Sequence, residues 1–246
     1  MIRCLVWLAL VGLVGCGPAA PVTIPAPVAL EKVPPGVHKK TADVPGVGSV
    51  KYAIEIPAGY DGSTPAPLVL ALHYGYNGST PEAYTGQGMM DDFRAGLAGL
   101  GAIVIAPDCL GGDWTDAKNE QAAVWLTQSV RETYAVDPKR IVITGYSMGG
   151  AGTWFIGSRH QDLFTAAIPV AAPVAGSAEW KIPVYAIHSQ QDEIVPYSAA
   201  KQHTAAVQSK GGKVELKTVS GLTHYDSPAY APHVGEGVKW LQEQWK

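Results

Sequence analysis

From Ser49 to Pro57 the chain alternates apolar and polar positions, SVKYAIEIP, so a strand there places Val50, Tyr52, Ile54 and Ile56 on one face. Turn residues follow at Asp61-Gly62 and Thr64-Pro65. Pro67 to His73, PLVLALH, is apolar almost throughout, as expected of a strand covered on both faces in a parallel sheet. Ala102–Ala106, the run Ile141–Thr144, Phe164–Ala172 and Ile182–His188 have the same character, and Val214–Val219 reads as a further strand. Helical patterns lie between them. One is predicted from Pro81 to Leu100, with Thr80 as cap and proline at the first helical position. A second runs from Asn119 to Tyr134, with Ala122, Val124, Trp125, Leu126, Val130 and Tyr134 at helical spacing. Others cover Ala151–His160, Ser198–Lys210 and a last stretch toward Trp240. Strand alternating with helix gives a mostly parallel central sheet with helices on both faces, three layers in all. No segment is long enough to form a large cap domain.

The first residues follow another rule. Met1–Gly17, MIRCLVWLALVGLVGCG, has one arginine and then an apolar run too short to span a bilayer comfortably. Its end, Leu13-Val14-Gly15-Cys16, resembles the bacterial lipobox, which implies a signal peptide over 1–15 and lipid modification of Cys16. Gly17 stands where the usual inner-membrane retention signal would put aspartate, so outer-membrane or cell-surface attachment is expected. Residues 16–36 are rich in proline and read as an extended, poorly ordered tether. The catalytic domain is then expected over 37–246.

Length and composition narrow the function. A chain of 246 residues suits one sizeable domain, and 47% apolar with 16% charged residues is ordinary for a globular protein. A net charge of -3 without a basic run gives no reason to expect nucleic acid. With Cys4 removed and Cys16 blocked, Cys109 is left alone, so no disulfide is expected in the mature chain.

The chemistry concentrates after the strand ending at Thr144. Gly145-Tyr146-Ser147-Met148-Gly149 matches G-x-S-x-G, a sharp strand-to-helix turn that holds a serine hydroxyl outward. Ser147 is the expected nucleophile. The first N–H groups of the following helix, that of Met148 included, are placed to face a developing oxyanion. An activated serine also needs a base and a group to orient that base, in the chain order Ser, Asp or Glu, His.

The candidate acids downstream are Asp162, Glu179, Asp192, Glu193, Glu215, Asp226 and Glu236. Asp192 lies just past the end of a buried strand, where ligand sites of open parallel sheets form, and Glu193 is the fallback. His224, on the loop after Val214–Val219, is the expected base. Among its competitors, His203 is expected on a solvated helix face, His188 ends its strand where it would orient the acid loop, His160 closes the nucleophile helix, and His233 has no assigned part. The second oxyanion donor is expected from the loop at His73-Tyr74-Gly75-Tyr76, with Gly75 first and Tyr74 next, and with His73 as a structural hydrogen-bonding residue beneath it. Trp114 and Trp154 suit either an acyl pocket or the core, and Asp108 and Asp113 either substrate contacts or turns. H-e-x-x-H and C-x-x-C spacings are absent, so no metal site is expected, and no cofactor. Cys109 has no elbow around it and is not expected to act.

Together LALHYG, DPKRIVITGYSMGGAGTW, HSQQDEIVPYSAA and GLTHYD resemble the α/β-hydrolase superfamily across nearly all of residues 45–246. Within it the chain looks like the phospholipase/carboxylesterase branch, close to polyhydroxybutyrate-depolymerase-like and feruloyl-esterase-like proteins and predicted peptidases. The resemblance implies the α/β-hydrolase fold, Ser147, Asp192 and His224 as triad, and a small or polymeric ester as substrate. In one departure, relatives usually carry His-Gly at the early loop, whereas Tyr74 occupies the glycine position here, where a side chain is expected to reshape the oxyanion loop or narrow the acyl site. The expected function is an exported, lipid-anchored serine esterase whose only membrane contact is the anchor. A peptidase or amidase of the same fold and a non-catalytic binding lipoprotein are the alternatives.

Overall fold

The structure, a computed structural model, describes residues 22–75 and 84–246. The predicted cap at Thr80 and Pro81 and the lipobox Cys16 lie outside those residues. The described chain forms one eight-stranded sheet in the order β1-β2-β4-β3-β5-β6-β7-β8. Its strands are β1 (Gly36–Val44), β2 (Gly48–Ile56), β3 (Ala66–Leu72), β4 (Ile103–Pro107), β5 (Val136–Tyr146), β6 (Ala166–Val170), β7 (Val184–Ser189) and β8 (Val214–Val219). β1 with β2 and β2 with β4 are antiparallel, and every other pairing is parallel.

The period of two along each strand sorts the core into two layers. Leu68, Leu70 and Leu72 of β3 face a cluster with α2 (Ala117–Thr133), α3 (Met148–Arg159) and Val207 of α4 (Tyr197–Ser209). Val69 and Ala71 face the other cluster, with Met89, Met90, Phe93 and Leu97 of α1 (Thr85–Leu97) and Val234, Val238 and Leu241 of α5 (Ala231–Gln244). Helices therefore cover both faces, and the strands between are buried on both sides, which is why β3, β4 and β6 are apolar throughout. Two helix starts are fixed by aspartate. Asp116 accepts from Lys118 N at the head of α2, and Asp108 accepts from Tyr84 N at 2.6 Å and Gly86 N at 3.0 Å at the head of α1.

The structure corrects the tether. Residues 24–34 form no sheet or helix, as proline dictates, yet they lie along α2 as a strap. Val28 N donates to Ser129 Oγ (3.3 Å), Leu30 N to Thr133 Oγ1 (2.7 Å) and Val33 N to Tyr134 Oη (2.8 Å), and Trp125 Nε1 donates to Ala26 O (3.1 Å). Ile24, Leu30 and Val33 pack on the core. Extended backbone that cannot pair with itself is paired instead by side chains of a helix. β1 follows at Gly36, an edge strand whose His38, Lys39 and Lys40 hid it from a hydrophobic pattern.

Candidate active site

Ser147 sits between β5 and α3 with φ 53° and ψ -115°, one of three described non-glycine residues with positive φ. The surrounding structure enforces this strained backbone: Ser147 N donates to Val170 O at 3.0 Å, and Ser147 O accepts from Ala151 N at 2.9 Å. Space is equally demanding. A Cβ on Gly149 would stand 1.9 Å from Leu72 O, and one on Gly145 would stand 2.3 Å from Gly149 O. Only glycine lets the helix start this close to the strand end.

Three strand-end loops converge on the serine. Ser147 Oγ lies 2.8 Å from His224 Nε2, and His224 Nδ1 lies 2.8 Å from Asp192 Oδ2. A carboxylate accepts only, so Nδ1 carries the proton and Nε2 offers its lone pair to the serine hydroxyl. The Asp192 carboxylate is fully buried and saturated with donors. Its Oδ1 accepts from Ile194 N (3.0 Å) and Val195 N (2.7 Å), and its Oδ2 also has His188 Nε2 at 3.4 Å. His188 donates mainly to Val195 O at 2.9 Å, and burial holds its pKa below the ordinary histidine value. It thus braces the acid loop at the position the sequence suggested. Glu193 has a different part, since its Oε2 accepts from His224 N at 3.0 Å.

The loop after β3 lies alongside. A Cβ on Gly75 would meet Met148 Sδ at 3.6 Å, so Gly75 and Met148 are neighbours at the mouth of the elbow. His73 lies below, entirely buried. Its Nδ1 donates to Tyr74 O (2.7 Å) and its Nε2 accepts from Cys109 N (2.9 Å), which fixes a neutral tautomer; burial lowers its pKa. Tyr74 turns its ring edge-on to Tyr146, 6.4 Å between centroids, and carries its hydroxyl toward Gly88 of α1.

The fold and this geometry can be set beside known proteins. The model of the dienelactone hydrolase family matches residues 71–225, more than half of the chain. The chain belongs to the dienelactone hydrolase family. Feruloyl esterase B of Piromyces equi is 27% identical over 166 residues, covering 60% of this chain and 30% of that protein. Feruloyl esterase C of Emericella nidulans is 25% identical over 171 residues, covering 66% of this chain and 63% of that one. A thermostable esterase of known structure superposes with a TM-score of 0.71 at 25% identity, covering 84% of this chain and 62% of that one. The chain thus spans less than two thirds of each. The carboxylesterase-like resemblance read from the motifs agrees with these matches, and the dienelactone hydrolase family narrows it.

Within this dienelactone hydrolase-family fold, some residues fall elsewhere than expected. His203 is not on a solvated face: it joins Ala200, Thr204 and Val207 on the buried stripe of α4, its ring 4.6 Å from that of Trp154, and its Nε2 has no hydrogen-bond partner. Trp114 and Trp154 are core residues, each 1% exposed. Trp114 Nε1 donates to His73 O at 2.9 Å and so supports the loop after β3 from below. Asp113 caps a turn through Thr115, His160 pairs with Glu120, and His233 pairs with Glu236. Cys109 is buried, its thiol pushed up to about 11 by that burial.

Tyr146 is the residue that sequence reasoning missed. Its hydroxyl donates to His224 O at 2.7 Å, and its ring packs on those of His224 and Tyr230. Burial, before the charge of Asp192, pushes the phenol of Tyr230 up to about 12. The one signal in the sequence is an aromatic residue at the second position of the elbow.

Proposed function

We propose that this chain hydrolyses carboxylic esters through an acyl-enzyme. Ser147 Oγ attacks the ester carbonyl while His224 Nε2 takes its proton; the tetrahedral intermediate collapses, the C–O bond to the alcohol breaks, and His224 returns the proton to the leaving alkoxide. Water then attacks the acyl-serine with His224 again as base, which releases the acid and regenerates the hydroxyl. Asp192 holds the imidazole in one tautomer and stabilises the imidazolium. The N–H groups of Met148 and Gly75, with that of Tyr74 as the substitute for Gly75, are assigned to the oxyanion.

The reading rests on one observation above all, the 2.8 Å contacts that link hydroxyl, imidazole and carboxylate in series. The names of the relatives bring aryl-propenoate esters such as ferulates into the substrate range. The chain is further proposed to be exported and held by a lipid on Cys16 at the outer membrane or cell surface.

The test is a panel of p-nitrophenyl esters of rising chain length beside methyl ferulate and acetylated xylan. Ser147→Ala is expected to lower kcat by about 10⁴-fold or more and to abolish labelling by a fluorophosphonate. A folded wild-type protein that neither turns over any ester nor takes the label ends the proposal. Protonated His224 has no lone pair for the serine proton, so the rate is expected to fall on the acid side.

A further inference from the structure

The strap crosses α2 in a fixed sense. Its partners rise together, Ala26 with Trp125, Val28 with Ser129, Leu30 with Thr133 and Val33 with Tyr134, so strap and helix run in the same direction. α2 follows β4 and precedes β5, which puts its first turn at the edge where the parallel strands end, the edge that carries Ser147. Followed backward, the strap climbs toward that edge. Trp125 lies roughly 12 Å along the helix from its first residue, at 1.5 Å per residue. Extended chain from Ala26 back to Val22 covers about the same distance, at about 3.3 Å per residue. Residue 22 is therefore within reach of the level of the catalytic mouth.

We infer that the strap turns this mouth toward the lipid surface that holds Cys16, so that the enzyme works on esters lodged in that surface. The inference rests on the proposed lipidation of Cys16. Six positions separate Cys16 from Val22, a reach of at most about 20 Å even when fully extended, at 3.3–3.6 Å per residue. A free tether over 16–36 would have left the domain's orientation unset. A docked one leaves only this short leash, and the leash leaves from the catalytic edge.

A second observation points the same way. Leu110, Val174, Ile194 and Tyr225 are the large apolar side chains left exposed on the loops after β4, β6, β7 and β8. All four loops lie at the catalytic edge. Ile194 N donates to the acid, and the Tyr225 ring stands 6.2 Å from that of His224. An apolar rim around the nucleophile costs free energy in water and less against acyl chains.

The test places a donor dye on Val174→Cys, at the mouth, or on Lys139→Cys, at the far edge; buried Cys109 stays unlabelled. The full chain is expressed in a bacterium, recovered from its membranes and reconstituted into phosphatidylethanolamine/phosphatidylglycerol vesicles whose headgroups carry an acceptor. Energy transfer from position 174 is expected to be at least two-fold that from 139; equal or reversed transfer overturns the inference, whatever the activity. Failure of the lipid reading shows separately, as protein recovered in the soluble fraction. The orientation is then measured with residues 1–16 replaced by a hexahistidine tag, which removes the otherwise reactive Cys16, on nickel-lipid vesicles, where the same inequality is expected and its absence is equally fatal. Twenty Gly/Ser residues inserted between Gly17 and Pro18 should lower hydrolysis of a long-chain p-nitrophenyl ester in the vesicles several-fold. p-Nitrophenyl acetate in solution should be hydrolysed at the unchanged rate, and a vesicle rate that the insertion leaves alone contradicts the inference.

Discussion

Ser147 keeps its strained backbone because the groups around it leave no alternative, and Gly149 is the tightest of them. In Gly149→Ala the new methyl would stand 1.9 Å from the Leu72 carbonyl, so strand end and helix must part. Ester hydrolysis is expected to fall at least about 100-fold, near 3 kcal/mol of transition-state stabilisation, with circular dichroism checking that the chain still folds. Tyr146→Phe is gentler. It removes one donor from the His224 carbonyl, and a loss of about 1 kcal/mol should appear as a roughly five-fold lower kcat with KM unchanged. The positions of Ser147, Asp192 and His224 at strand ends were legible because each follows an apolar run and a local motif. The parts of Tyr146 and Glu193 were not, since each is defined by a hydrogen bond to the main chain of a residue far along the sequence.

Among elements, α2 and α3 are locked by a buried carboxylate. Glu120 Oε1 accepts from Arg159 Nε at 2.7 Å and His160 Nε2 at 2.8 Å. Burial alone would raise its pKa, but the hydrogen bonds from His160 and Arg159 outweigh it and hold the carboxyl below the ordinary value. The stabilisation is therefore complete above pH 4.5, the ordinary glutamate value, and is lost as the pH falls through the lowered one. Glu120→Gln should cost about 2–3 kcal/mol, discounted for the partly exposed partners, and lower Tm by about 5–10 °C in thermal melts. The strap offers a second measurement. With Ser129→Ala and Thr133→Ala together, amide exchange at Val28 and Leu30 should quicken about ten-fold or more, one decade for each 1.4 kcal/mol of lost local stability. The sequence foresaw the extended conformation there but not the docking, because an amide that donates to a helix side chain leaves no periodic trace. His203 was misread for a related reason: a polar residue on a short helix looks solvated until the stripe it shares with Ala200, Thr204 and Val207 is seen to face Trp154.

For the molecule as a whole, the parallel pairing and the two core layers follow from the alternation of apolar runs and helical spacings, which is why the layered architecture was legible throughout the parallel part while the strand order was not. Its response to acid comes from groups that no pattern displays. His73, His188 and His203 are all held below 6.5, chiefly by burial. On acidification the unfolded chain takes up these protons first, so this share of stability is full above about pH 6.5 and drains away as pH drops below it toward the lowered values. His203→Leu should flatten the fall in urea midpoint between pH 6.5 and 5; an unchanged slope would show that His203 contributes nothing to it. The C-terminal helix adds a last consequence. It runs away from the catalytic edge, and Trp245 ends beside Asp137 and Arg140 at the start of β5. If the proposed function and orientation hold, a protein bead-coupled through its last residues would offer Ser147 and His224 to a bulky polymer in solution, while one coupled through residue 22 would hide them against the bead.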